Sequence, residues 1–191
     1  MNSMNIMIVG VGGQGTLLTS RLLGAAAMNE GFDVKVSEVH GMSQRGGSVV
    51  TYVKYGEKIA SPLIEVGEAD IILAFEQLEA ARWLKYMKPD GRMIVNTRKI
   101  DPMTVITGAA TYPAGVLEKL EAAGAKVTAL DALDLAVEAG SPKAVNVVLV
   151  GVMAAGMDLD KEVWINAIKE TVPAKFLELN LKAFELGYNV K

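Results

Sequence analysis

A short apolar run, a cluster of glycines and a helical pattern follow one another within the first 30 residues, and that succession leaves few folds open. Asn5 to Val9 reads NIMIV, a continuous apolar stretch suited to a strand buried on both faces. Gly10-Val11-Gly12-Gly13-Gln14-Gly15 interrupts it. From Thr16 to Glu30, Leu17, Leu18, Leu22, Ala25 and Ala26 recur at helical spacing, and Gly31 closes the helix. Phe32 to Val39 predicts a second strand. Strand, helix and strand in this length make a βαβ unit, whose two strands run parallel.

The alternation continues. Ser48 to Tyr55 and Lys58 to Ser61 predict a hairpin turning at Tyr55-Gly56-Glu57, an antiparallel addition at one edge of the sheet. Ala69 to Ala74 reads as a buried strand, Glu76 to Tyr86 as a helix, Lys88-Pro89-Asp90-Gly91 as a turn and Met93 to Asn96 as a strand. Ala114 to Ala123 predicts a helix, Ala125 to Leu130 a strand and Asp131 to Ala139 a short helix. From Pro142 onward the pattern gives three helices (Pro142 to Met157, Lys161 to Glu170, Ala174 to Glu185) and no strand. The expected fold is α/β: three α/β/α layers around a mostly parallel, Rossmann-like sheet, with an antiparallel hairpin and a helical C-terminus. All 191 residues fit one domain, with a C-terminal helical segment at about 142–191.

Composition removes several chemistries. With no cysteine the chain cannot ligate an iron–sulfur cluster through thiolates, form a disulfide or use a cysteine nucleophile. A single histidine excludes a multi-histidine metal site, so no metal is expected on this chain. The net charge of −3 and the absence of a basic stripe argue against nucleic acid. The most apolar run, VVLVGVMAAGM at 147–157, is too short to cross a bilayer, and MNSMNIMIVG lacks the charged region and cleavage site of a secretory signal. A cytoplasmic location is expected. An apolar fraction of 51% with ten methionines favours a chain that works against a partner.

The glycine turn fits the pattern GxGxxG between a strand and a helix. Glycines let backbone approach an anion, and the helix start offers free N–H groups and a positive dipole end. Gly10, Gly12, Gly13, Gln14, Gly15 and Thr16 are therefore candidate phosphate-binding residues. Thr16 stands where a nucleoside-triphosphatase loop would carry lysine, so that class is excluded. A tight turn with no ligand is the plainer alternative. Glu38, at the end of the second strand, is a candidate for the acid that holds a ribose in NAD enzymes. Glu76, Asn96 and Thr97 lie at strand ends, where helix capping explains them best. Asn146, inside an apolar helix, needs a hydrogen-bond partner, and the glycine turn is a candidate neighbour.

Residues 37–50 read SEVHGMSQRGGSVV. A plain turn needs two or three residues, yet this connection carries His40, Gly41, Met42, Ser43, Gln44, Arg45, Gly46 and Gly47. Arg45 suits a phosphate or carboxylate. His40 has no relay partner or second metal ligand at useful spacing, and Ser43 sits in no nucleophile elbow. No catalytic residue is assigned.

Four stretches, GVGGQGTLLTSRLLGAAA, EVHGMSQRGGSV, ADIILAFEQLEAARWLKYMKPDGRMIVN and NLKAFELGY, together resemble the gamma-type subunits of 2-oxoacid:ferredoxin oxidoreductases. The likeness runs from Asn5 to Tyr188. The His-Gly-Met-Ser-Gln-Arg-Gly-Gly loop is its most specific part and is nearest the indolepyruvate branch. The resemblance implies a non-catalytic subunit beside a larger catalytic one. That complex would use thiamine diphosphate, magnesium, iron–sulfur clusters and coenzyme A, pass electrons to ferredoxin, and act on a 2-oxoacid such as indolepyruvate. It further implies that this chain binds no cofactor alone but helps form the coenzyme A site. Its glycine turn would lie near the phosphates, with Arg45 at them or at a partner carboxylate, and residues 40–47 would face the partner. Two alternatives stand beside it: a stand-alone NAD(P)-binding oxidoreductase, and an interaction module whose glycine turn binds nothing.

Overall fold

The computed structural model describes residues 3–40 and 47–190, residue 40 by its backbone alone. In chain order the elements are β1 (Met4–Val11), α1 (Thr16–Asn29), β2 (Asp33–His40), β3 (Ser48–Gly56), β4 (Ala69–Ala74), α2 (Gln77–Trp83), β5 (Met87–Asn96), α3 (Met103–Ile106), α4 (Val116–Ala122), β6 (Lys126–Leu130), α5 (Ala132–Ala139), α6 (Val145–Ala154), α7 (Lys161–Thr171) and α8 (Leu177–Tyr188). The strands form one sheet in the order β2-β3-β1-β4-β5-β6. β1, β4, β5 and β6 pair parallel, while β3 runs antiparallel to both β1 and β2.

The pleat of β1 divides the core. Ile6 and Ile8 face a cluster built with Leu22, Leu23, Ala26, Trp164 and Phe184, under α1 and the C-terminal helices. Met7 and Val9 face the opposite layer, with Ala80, Val116 and Leu120 from α2 and α4. Successive side chains of a strand point to opposite faces, so a fully apolar strand has to be covered on both. The three layers and the helical C-terminus follow as expected.

Two local expectations are corrected. No hairpin turns at Tyr55-Gly56-Glu57, and Lys58 to Ser61 is not a strand. Instead β3 continues to Gly56 and lies inside the sheet, and the antiparallel hairpin is β2–β3, joined through residues 41–47. The Asp33 carboxylate accepts the Ile59 N–H at 2.8 Å, so that amide is satisfied without a ladder partner. β1 and β2 are parallel in direction, as a βαβ unit requires, but β3 separates them. The second correction concerns Lys88 to Gly91, which is a bulge within β5 rather than a turn before it. Pairing steps from Ala69↔Met87 to Ile71↔Arg92, so three extra residues are accommodated on β5.

Beneath the sheet, α6 is buried almost throughout and packs on α8 backbone to backbone. A β-carbon on Gly151 would lie 2.3 Å from the Phe184 carbonyl oxygen, and one on Gly187 would lie 2.0 Å from that of Val148. Only glycine at both places permits this crossing.

Candidate functional site

The parallel strands deliver their carboxyl ends to one edge of the sheet, and the glycine turn lies there. Gly15 caps α1 with φ of 87°, in the left-handed region that glycine occupies without strain. Gly10 is still part of β1. A β-carbon there would meet Gln14 Oε1 at 2.7 Å and Phe75 Cβ at 3.0 Å. Gln14 folds back over the turn: its Oε1 accepts the Val11 N–H at 2.6 Å, and its Nε2 donates to the Phe75 carbonyl at 3.1 Å. The Gly12 N–H donates to the Gly47 carbonyl at 3.0 Å. The end of the 41–47 connection is thus fastened to the glycine turn.

The first intrahelical bond of α1 runs from the Thr19 N–H to Gly15, so the amides of Thr16, Leu17 and Leu18 have no acceptor within the helix. Beside them opens a cavity of about 470 Å³, lined by Gly12, Gly13, Gln14, Gly15, Arg98, Ile100, Pro142, Lys143 and Val145. Two cations, Arg98 and Lys143, therefore share a cavity with the turn. Neither has a carboxylate partner among the described residues.

Both cations are placed by built local structure. Arg98 follows β5, and its carbonyl accepts the Gln77 N–H at 3.3 Å at the start of α2. Gln77 Nε2 also donates to the Thr97 carbonyl, and the Ile100 N–H donates to Glu76 Oε1 at 3.2 Å. Lys143 lies in a 3₁₀ turn, Pro142–Ala144, capped by Ser141, whose hydroxyl accepts the Lys143 N–H at 3.3 Å. Asn146, one turn further, is 4% exposed and lies against Gly15. It is thus a neighbour of the glycine turn, as expected, although no hydrogen bond to its carboxamide is formed among the described residues.

A second hollow of about 220 Å³ adjoins the first, lined in part by Gly47, Ser48, Glu76, Glu79 and Arg82. Glu76 caps α2 by accepting the Glu79 N–H at 3.0 Å, and it accepts the Tyr112 hydroxyl. Burial, and then that bond to the Glu76 carboxylate, push the Tyr112 phenol well above its usual range. Burial also raises the Glu79 carboxyl, against the opposing pull of the Ser48 hydroxyl and Arg82. Asn96 joins two strand ends, donating to the Phe75 carbonyl at 3.2 Å and accepting the Ala132 N–H at 3.2 Å. Capping and bracing account for Glu76 and Asn96, as the sequence suggests.

Of the predicted site residues, Gly10, Gly12, Gly13, Gln14, Gly15, Thr16 and Gly47 come together at this edge. Thr16 is 8% exposed, and its hydroxyl makes no hydrogen bond among the described residues. Gly41, Met42, Ser43, Gln44, Arg45, Gly46 and the side chain of His40 lie outside the described residues. Sequence reasoning missed Arg98 and Lys143. The available signals were the strand end at Asn96-Thr97 and the Ser141-Pro142 cap, each of which sets a side chain beside the carboxyl edge. Among the described residues no cluster of three histidine, aspartate or glutamate side chains could hold a metal ion, and no helix is long and apolar enough to cross a membrane.

Residues 5–190 match the family model described as pyruvate ferredoxin/flavodoxin oxidoreductase. The chain is 45% identical to the indolepyruvate oxidoreductase subunit IorB of Thermococcus kodakarensis, over 98% of this chain and 95% of that one. It superposes on the gamma subunit of a keto/oxoacid ferredoxin oxidoreductase from Geobacter sulfurreducens with a TM-score of 0.72 at 25% identity, covering 97% of this chain and 96% of that one. The 2-oxoglutarate:ferredoxin oxidoreductase of Magnetococcus marinus, with 2-oxoglutarate, coenzyme A and succinyl-CoA bound, gives a TM-score of 0.75 over 98% of this chain and 31% of that one. At 18% identity that likeness establishes the fold alone.

Proposed function

The chain belongs to the pyruvate ferredoxin/flavodoxin oxidoreductase family and is a gamma-type subunit of a 2-oxoacid:ferredoxin oxidoreductase; on that premise we propose that its task is to complete the coenzyme A site of the complex. One observation carries this reading. On the carboxyl edge of the sheet, the glycine turn that starts α1 and two cations without a carboxylate partner among the described residues line one cavity. Anionic phosphate is the ligand such an arrangement favours, because free N–H groups, the helix dipole and the cations act in one direction.

The chain's own contribution is binding and orientation. It has no cysteine for clusters, and the described residues that line the cavity are glycines, Gln14, two cations and apolar side chains. Thiamine diphosphate with magnesium and the iron–sulfur clusters are assigned to the larger catalytic subunit, and electrons leave to ferredoxin through the complex. We assign the 40–47 connection to contact with that subunit and Arg45 to a phosphate or a partner carboxylate; Gly47, at its end, is tied to Gly12. Indolepyruvate is the proposed 2-oxoacid, on the 45% identity to a subunit named for it. A cytoplasmic location goes with this role. The stand-alone NAD(P) enzyme finds no support among the relatives.

The test is anaerobic affinity purification of the tagged chain from its native host. The expected result is a brown complex with a large cysteine-rich partner, reducing dye with indolepyruvate only when coenzyme A is present. Gly12→Val and Arg45→Ala in that complex are expected to raise the KM for coenzyme A. A chain that elutes alone, or a complex whose KM for coenzyme A ignores both substitutions, would refute the assignment.

A further inference from the structure

The glycine turn of this chain has no lysine, so whatever anion it holds must find its counter-charge elsewhere. Two observations say where. Arg98 and Lys143 come from elements far apart in sequence, yet they line the same cavity as Gly12, Gly13, Gln14 and Gly15, and neither is neutralised by a carboxylate among the described residues. Cations converging on a concave site focus positive potential there. The second observation is independent of charge. Asn146 is 4% exposed, and its carboxamide has no hydrogen-bond partner among the described residues. Its Nδ2 leads toward the turn: it is the atom nearest the position of a β-carbon on Gly15, at 3.0 Å. Unlike the sealed Trp164 Nε1, this carboxamide is not a fully buried orphan, so a ligand at the anion-ready turn can reach its N–H.

Resting on the coenzyme A reading above, we infer that Arg98 and Lys143 are the charge-recognition residues of the phosphate site and that Asn146 is the donor closing it from the α6 side. The phosphate group of coenzyme A sits between the start of α1 and the Pro142–Val145 turn. There it takes N–H bonds from the glycine turn, a side-chain N–H from Asn146 and ion pairs from the two cations. The Ser141 cap and the bonds from Gln77 to Thr97 and Arg98 are then positioning devices for those cations.

The experiment uses the assembled complex with coenzyme A as the probe. It compares Arg98→Ala with Lys143→Ala, the double variant, Asn146→Ala, Arg98→Lys, Gly12→Val and a control, Lys126→Ala, on the far strand β6. The double variant is expected to raise the KM for coenzyme A about tenfold, an effect that shrinks with added salt because it is ionic. Asn146→Ala raises it without that salt dependence. The KM for the 2-oxoacid stays put throughout, Arg98→Lys retains most of the affinity, and Lys126→Ala is silent. If Gly12→Val raises the KM but the double variant and Asn146→Ala do not, this inference is overturned while the coenzyme A reading stands. If none of them changes it, the reading itself falls.

Discussion

Gln14 donates its side-chain amide to the carbonyl of Phe75 across a 3.1 Å gap while accepting the Val11 N–H at 2.6 Å, so one side chain ties the end of β1 to the end of β4. The Phe75 carbonyl has a second donor in Asn96 at 3.2 Å, whereas the Val11 N–H gives its short bond to Gln14. Removing Gln14 therefore falls mainly on a buried backbone N–H. Gln14→Ala is expected to cost about 1–3 kcal/mol, the usual penalty for such an orphan. Gln14→Glu keeps the acceptor but sets a second acceptor against the Phe75 carbonyl, and it too is destabilising. Thermal melts of the complex and of the full chain check both. An unchanged Tm for Gln14→Ala would mean that the clamp does not hold the turn.

The α6–α8 crossing gives a sharper expectation. Gly187→Ala places a β-carbon 2.0 Å from the Val148 carbonyl oxygen, and backbone on both sides leaves nothing flexible to yield. A loss of about 2–3 kcal/mol, or failure to fold, is expected. At this chain length that is a drop in Tm of about 5–10 °C. Gly24→Ala, in the middle of α1, is the counterpart: its β-carbon meets nothing nearer than Val34 Cγ1 at 3.9 Å. It is expected to stabilise by about 0.5–1 kcal/mol, through helix propensity alone. The same melt distinguishes the two, and similar shifts in both would rule out the close helix contact.

Glu79 ties stability to pH. Burial lifts its carboxyl above the ordinary 4.5, so the folded chain binds that proton more tightly than the unfolded chain does. The stabilisation from the neutral form is complete below about 4.5 and is lost as pH climbs through the higher folded value. Glu79→Gln mimics the neutral form, and its carbonyl can still accept the Ser48 hydroxyl. The two proteins are expected to melt alike in acid, with the variant gaining on the parent as pH rises above 4.5. A Tm difference that does not vary with pH would show that Glu79 is ionised at little cost in the fold.

The elements themselves were legible because each has one period. NIMIV and ADIILA are apolar at every residue, and the helix after the turn repeats its leucines and alanines at helical spacing. Their order in the sheet was not. A strand such as SVVTYVKY fits equally well at an edge or between two neighbours. The choice depends on β3 pairing with β1 on one side and β2 on the other, through residues whose types alone announce nothing. The site divides in the same way. A glycine turn between strand and helix is local, so Gly10 to Thr16 could be read directly. Arg98 and Lys143 join it only through the sheet order and the packing of α6, and Asn146 stood out as polar in an apolar helix without showing its direction.

Glu38 closes the question of dinucleotide binding. In that class an acid at the end of the strand beside β1 holds the ribose of a nucleotide seated on the first turn. Here β3 lies between, so β2 is two strand spacings away, about 10 Å at roughly 4.8 Å each. Glu38 is also engaged, accepting the Ser20 hydroxyl at 3.1 Å across to α1. The full chain, with or without its partner subunit, is therefore expected to give no saturable change in NADH fluorescence, and Glu38→Gln is expected to leave the KM for coenzyme A where it was. Saturable binding of NADH that disappears in Glu38→Gln would restore the dinucleotide reading, because only a ribose within reach of that carboxylate could produce it.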